Sequence, residues 1–188
     1  MIKVGVIGTH GTGKTTICYD LVSALKKEGV KAEHLGEVST KAKQKGFVIN
    51  ERTTPKSQKW ILYTQITEEI EFEELRQDVK VLVTDRASLD NYLYFVRGFG
   101  YDVVLDGVVN EHVRTYDLIF RAPVNETYLK DDGIRAMDVE FQRVMDELIT
   151  EELRKRQIPY QNFTGIDSAL EMILQKLEQT KPISVSAV

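Results

Sequence analysis

The chain has 188 residues, 42% of them hydrophobic and 29% charged, with a net charge of −4, the composition of an ordinary globular domain. Its acidic balance and the lack of a basic run of five or more residues argue against a nucleic-acid partner. No stretch approaches eighteen consecutive apolar residues, and the apolar start has neither a basic leader nor a cleavage site, so no membrane span is expected and the cytoplasm is the expected location.

Residues 1–7 form a short apolar run that reads as a buried strand. The stretch Gly8-Thr9-His10-Gly11-Thr12-Gly13-Lys14-Thr15 follows and fits G-x-x-x-x-G-K-[ST] at every fixed position, the phosphate-binding loop of nucleoside-triphosphate enzymes. Ile17, Leu21 and Leu25 then mark the apolar stripe of a helix. In such a loop the glycines allow backbone torsions closed to other residues, and successive N–H groups converge into an anion nest at a helix N-terminus. Lys14 is expected beside the β- and γ-phosphates, and the Thr15 hydroxyl on Mg²⁺. Thr9, His10, Thr12 and Thr16 complete the nucleotide-binding stretch; His10 faces either the substrate or solvent. The lone Cys18 lies in the helix and is expected to pack there, since it has no internal disulfide partner.

Residues 30–36 read as a second strand, with Glu37 at its end. Residues 41–50 suggest a short helix closed by Gly46. Pro55 suits the first turn of a longer helix reaching about residue 77, with Leu62, Ile66 and Ile70 on one face. Glu68, Glu69, Glu71, Glu73 and Glu74 read as a solvated acidic face of that helix. Residues 79–84 form a third strand ending in Asp85-Arg86, and Ser88 is the expected cap of a helix that closes at Gly98. A helix over 102–114 and a strand over 116–120 follow, ending in Arg121-Ala122-Pro123. The polar stretch 125–138 contains Gly133. Beyond it come a helix with Phe141, Val144, Met145, Leu148, Ile149 and Leu153 on one stripe, a fifth strand at 158–163 and a last helix with Leu170, Ile173, Leu174 and Leu177.

Strands alternating with helices predict an α/β sandwich of three layers, a five-stranded parallel sheet covered on both faces. Ligands in such folds bind beyond the carboxyl ends of the strands, which brings Glu37, Asp85, Arg86 and Arg121 toward the loop. Asp85 closes its strand as a Walker-B aspartate does and is a candidate Mg²⁺ ligand; it is otherwise a helix cap. Arg86 either grips an acceptor phosphate or polarises the donor, or simply pairs with Glu37 or Asp90. Glu37 is placed to take the proton of an acceptor hydroxyl, or is merely solvated. Lys130 to Arg135 suit a lid closing on phosphates, with Arg135 stabilising transition-state charge, or an exposed connection. Trp60, Tyr63, Tyr92, Tyr94, Phe95, Phe99 and Tyr101 either stack on a base-like ring or, for most of them, form core. Gln58 and Gln65 are candidate readers of a base or amide edge.

The order of Gly8 to Thr15, Glu37, the Gln58–Gln65 helix, Asp85-Arg86-Ala87-Ser88-Leu89-Asp90 and Asp132-Gly133-Ile134-Arg135 resembles the NadR-like P-loop kinases, a family of AAA-type ATPases, and more broadly the nucleoside and nucleotide kinases. The resemblance implies a P-loop NTPase fold over residues 1–178 as a single domain, with a small helical lid at about 125–140 and a tail at 179–188. It implies ATP and Mg²⁺ at Lys14, Thr15 and Asp85, the acceptor at Glu37 and Arg86, and a lid role for Arg135. The sequence departs from thymidylate kinases, which carry a tyrosine where Ala87 stands, and lacks the closely spaced lid arginines of deoxynucleoside kinases. The expected activity is transfer of the γ-phosphate of Mg–ATP to a nucleoside, nucleotide or related small metabolite, the small-molecule partner of the chain; a homodimer is compatible with it. An acceptor-independent NTPase and a nucleotide-switched binding module are the alternatives. No Asn-Lys-x-Asp motif occurs, which disfavours a regulatory GTPase.

Overall fold

Side chains alternate across the first strand, and that alternation divides the core in two. Ile2, Val4 and Val6 pack on one face of the sheet with Cys18, Leu21 and Leu25, while Ile7 packs on the other with Leu62, Tyr92, Leu93 and Met145. The computed structural model describes residues 1–49, 52–124 and 138–180. In chain order the elements are β1 (Ile2–Ile7), α1 (Lys14–Lys27), β2 (Ala32–Leu35), α2 (Val38–Gln44), α3 (Pro55–Leu75), β3 (Val81–Asp85), α4 (Ser88–Phe99), α5 (Val103–His112), a 3₁₀ turn (Val113–Thr115), β4 (Leu118–Arg121), α6 (Asp138–Lys155), β5 (Gln161–Asn162) and α7 (Ile166–Thr180).

The sheet runs β2-β3-β1-β4-β5 with every pairing parallel. Helices α1 and α7 cover one face, and α3 to α6 supply the core on the other. This is the expected three-layer α/β sandwich of a P-loop NTPase. Placing β1 between β3 and β4 brings the loops after all three strands to one edge. Among the described residues no helix is long and apolar enough to cross a membrane.

Local chemistry accounts for most element boundaries. Thr54 caps α3, its hydroxyl accepting from Ser57 N–H at 3.1 Å, with Pro55 in the first turn. Asp102 caps α5 by accepting from Val104 and Leu105 N–H. Four expectations need correction. Helix α2 starts at Val38 rather than residue 41, because Val38 and Ala42 pack as a pair against Ile61. Helix α4 closes at Gly100, whose φ of 86° ends it, and not at Gly98. Only Gln161 and Asn162 of the fifth predicted strand pair with β4. The inward face of α3 is Ser57, Ile61, Leu62, Gln65 and Glu69, while Ile70 is 48% exposed.

That last correction has an electrostatic cause. Glu69, read as part of a solvated acidic face, is fully buried, 3.2 Å from the buried Lys3 ammonium of β1. Its carboxylate also accepts from Tyr116 Oη at 2.6 Å and Gln65 Nε2 at 2.9 Å. The Tyr116 ring reaches this place by lying against Gly5, where an added Cβ would stand 3.0 Å from the ring. A carboxylate with a cation and two donors meets the conditions for burial.

Candidate active site

The loop after β1 wraps around the start of α1. Gly13 holds the helix N-cap with φ 77°, the left-handed region that favours glycine. Lys14, the first residue of α1, is buried, and its Nζ donates to Thr9 O at 2.5 Å, with Thr12 Oγ1 at 3.4 Å. Burial, then the nearby Arg86, lowers the Lys14 ammonium to about 8. A desolvated cation of this kind gains most from an arriving anion. Thr15 Oγ1 donates to Asp85 Oδ2 at 2.5 Å, so a hydroxyl and a carboxylate meet at the junction of α1 and β3. Thr16 is exposed beside them. Cys18 is buried, its thiol pushed well up by desolvation, in keeping with the expected packing role.

Arg86 follows β3 in a conformation uncommon for a residue with a side chain, φ 87°. Its backbone is fixed from three directions: its N–H donates to Val6 O at 3.1 Å, and its carbonyl accepts from Thr84 Oγ1 at 2.8 Å and Gln65 Nε2 at 2.7 Å. Strained torsions persist where neighbours over-determine them, and such places cluster at functional sites. The guanidinium is buried. Its Nε donates to Glu37 Oε1 at 2.7 Å, Nη1 lies 3.6 Å from Asp90 Oδ2, and the Tyr94 ring covers it at 4.8 Å. Arg86 therefore pairs with both Glu37 and Asp90.

Glu37 is the N-cap residue of α2, and its side chain is 28% exposed. Burial alone would push its carboxyl up; the Arg86 guanidinium overrides burial and holds it at about 2. It is thus a carboxylate at neutral pH with one edge toward solvent. Asp90 is fully buried and pushed up to about 6 by burial against the pull of Arg86. Its carboxylate accepts from Ala87 N–H at 2.7 Å, capping α4 in the role expected of Ser88, and lies 3.5 Å from Gly8 N. Ser88 instead meets His112 Nδ1 at 3.0 Å. Lys14 lies within electrostatic reach of Arg86, Asp90, Asp85 and Glu37, so the predicted residues on three loops converge at one edge of the sheet.

The remaining expectations distribute differently. His10 is half-buried, its ring against Phe141 at 5.6 Å, and is turned to these neighbours instead of to open solvent. Arg121 ends β4, where it pairs with Asp146 of α6 and donates to Asn162 Oδ1 at 3.1 Å. Tyr92 and Phe95 are core, whereas Tyr63 and Tyr101 are 43% and 67% exposed. Gln58 donates to Thr53 Oγ1, and Gln65 is locked between Arg86, Glu69 and Asn91, so its amide is engaged within the protein. Arg135 and the lid segment, apart from the start of α6, lie outside the described residues.

Two further residues reach the loop: Gln142, which the sequence does not single out, and Tyr94, expected as a stacking or core aromatic. Gln142 of α6 is 2% exposed and donates to His10 O at 3.0 Å; its Nε2 would stand 2.6 Å from a Cβ on Gly11. No sequence signal marks it. Tyr94 Oη lies 3.0 Å from His10 N. Its position one turn beyond Asp90 on α4 is the available clue.

The fold is shared with solved structures. A deoxyadenosine kinase from M. mycoides, solved with the products dCMP and a flexible dCDP bound, is similar over 95% of this chain and 100% of its own, with TM-score 0.59 and 15% identity. NadR protein in complex with NR is similar over 99% of this chain, with TM-score 0.70 and 15% identity, and this chain spans 54% of its length. No curated protein sequence matches the chain. The family model described as "AAA domain" matches residues 3–166, and with the loop, sheet order and Asp-Arg pair in place, the chain belongs to this AAA domain family of P-loop proteins.

Proposed function

We propose that the protein is an ATP-dependent phosphotransferase that moves the γ-phosphoryl group of Mg–ATP to a hydroxyl of an uncharged, nucleoside-type small molecule. The observation that carries this reading is the Glu37–Arg86 pair at 2.7 Å on the sheet edge that also holds Lys14. Phosphoryl transfer needs positioning and charge neutralisation above all. Lys14 supplies a buried cation for the donor phosphates. The acceptor hydroxyl oxygen attacks Pγ, the bond from Pγ to the bridging oxygen of ADP breaks, ADP leaves, and the hydroxyl proton passes to the ionised Glu37.

Thr15 and Asp85 suit Mg²⁺, a hard cation bound through one or two protein oxygens together with phosphates; it would neutralise phosphate charge there. Among the described residues no cluster of three or more His, Cys, Asp or Glu could hold a metal ion. Arg86 is balanced by two carboxylates and roofed by Tyr94, an arrangement that favours a neutral acceptor over a phosphate monoester. We read residues 1–178 as one domain, with Arg135 as the lid cation and Arg121 near the nucleotide.

The test is ADP release from Mg–ATP with a panel of nucleosides, nucleoside monophosphates and nicotinamide riboside, using Lys14→Ala as the blank. The expected outcome is turnover with a nucleoside and its phosphorylated product, reduced about 10²-fold or more in the variant. Equal ATP consumption without any acceptor would favour an NTPase; tight binding without turnover would favour a binding module.

A further inference from the structure

We propose that Tyr94 is a phosphate-contacting residue whose hydroxyl donates to the γ-phosphoryl group of the bound nucleotide. The inference rests on the kinase reading for its place in the reaction, though its binding consequence stands apart. The N–H groups of a phosphate-binding loop converge on phosphate oxygens. One of them, His10 N–H, here meets Tyr94 Oη at 3.0 Å. The same hydroxyl lies 3.1 Å from His10 Nδ1 and 3.4 Å from Thr9 Oγ1.

A phenol that accepts from His10 N–H keeps its own proton to donate. An oxygen that approaches His10 N–H therefore arrives beside a hydroxyl able to bond it. The other end of Tyr94 fixes which phosphate this is. Its ring lies 4.8 Å over the Arg86 guanidinium, which holds Glu37 at 2.7 Å. One side chain thus touches the donor loop and the acceptor pair, and the group passing between those two places is the γ-phosphoryl. Phe141 of α6 packs on the ring at 6.1 Å and steadies it.

The experiment compares Tyr94→Phe with the full-length wild type by calorimetric titration of Mg–ADP and of a non-hydrolysable Mg–ATP analogue. Phenylalanine keeps the ring over Arg86 and removes only the hydroxyl. The analogue is expected to bind about ten-fold or more weakly in the variant, the size of a lost hydrogen bond to a charged group, with ADP affinity within two-fold of wild type. Turnover falls by at least as much, with the acceptor KM unchanged. Tyr92→Phe, whose hydroxyl points to Asp102 O at 3.4 Å, is the control and shows no split between the two nucleotides.

Equal weakening of both nucleotides would make Tyr94 a structural support of the loop and overturn the proposal. Unchanged affinities would overturn it too, and tighter analogue binding would show a hydroxyl that only competes for His10 N–H. If the wild type phosphorylates no acceptor, the kinase reading fails while the ADP–analogue split still decides the role of Tyr94. If it turns over and the split is absent, only the Tyr94 proposal fails.

Discussion

Among the described residues, two of the buried cations, Lys3 and Arg86, are each held by two carboxylates, at opposite ends of the same sheet. Lys3, near the start of β1, pairs with Glu69 at 3.2 Å and Glu73 at 2.5 Å. Arg86, just past the end of β3, pairs with Glu37 at 2.7 Å and Asp90 at 3.6 Å. In each set one carboxylate is fully buried and the other reaches the surface. Charge count alone does not separate them. At the Lys3 end, Tyr116 and Gln65 both donate to Oε1 of the buried carboxylate, Lys3 faces its Oε2, and the backbone is regular strand. At the Arg86 end the backbone is strained, the surface carboxylate is held ionised, and the phosphate loop stands alongside. Ligands in open α/β sheets bind beyond the carboxyl ends of the strands, which is why the proposed chemistry is assigned to the Arg86 cluster and not to the Lys3 cluster.

The sharpest way to break this comparison is Glu37→Gln. Turnover with the acceptor is expected to fall about 10²–10⁴-fold, the contribution of a positioned general base, with nucleotide affinity within two-fold by titration. Retained turnover would remove Glu37 from the proton transfer. Lys3→Met is the counterpart at the other end. It strands Glu69 in the core and is expected to cost about 3–5 kcal/mol in urea unfolding, while turnover per folded molecule stays near wild type. The double variant Lys3→Met/Glu69→Leu should recover much of that loss; no recovery would mean that the pair is not the source of the cost.

Gln65 joins the two regions, donating to Glu69 Oε1 and to Arg86 O. Gln65→Leu is expected to cost about 1–3 kcal/mol through unsatisfied partners and, unlike Lys3→Met, also to lower turnover by releasing the Arg86 backbone. A stability loss without a turnover loss would show that the two clusters are uncoupled.

The smallest effect is the pH dependence of stability. Glu37 lies at about 2 folded against an ordinary 4.5, so its contribution is complete above about pH 4.5 and lost as pH falls toward 2. Asp90 has the opposite sign. With a folded value of about 6 against 3.8, its contribution is complete below pH 3.8 and lost as pH rises through 6. Thermal midpoints between pH 2 and 7 should lose the acid-side rise in Glu37→Gln and the decline between pH 4 and 6 in Asp90→Asn.

Sequence alone carried the phosphate loop, the alternation of strands and helices, the Pro55 and Asp102 starts of their helices, and the candidate residues Glu37, Asp85 and Arg86 at strand ends. Each of these depends on chemistry within a few residues: a capping oxygen, an apolar period, a glycine at a left-handed turn. The sheet order and the long-range pairings were decided only in the tertiary structure. Glu69 looked solvated because nothing near it in the chain reveals that β1 brings Lys3 beneath it. Tyr94 and His10 are 84 residues apart, Gln142 and His10 132 apart, and only the folded sheet brings them together. A buried polar group is stable when its partners are already in place, and those partners come from distant strands and helices, which a local pattern does not encode.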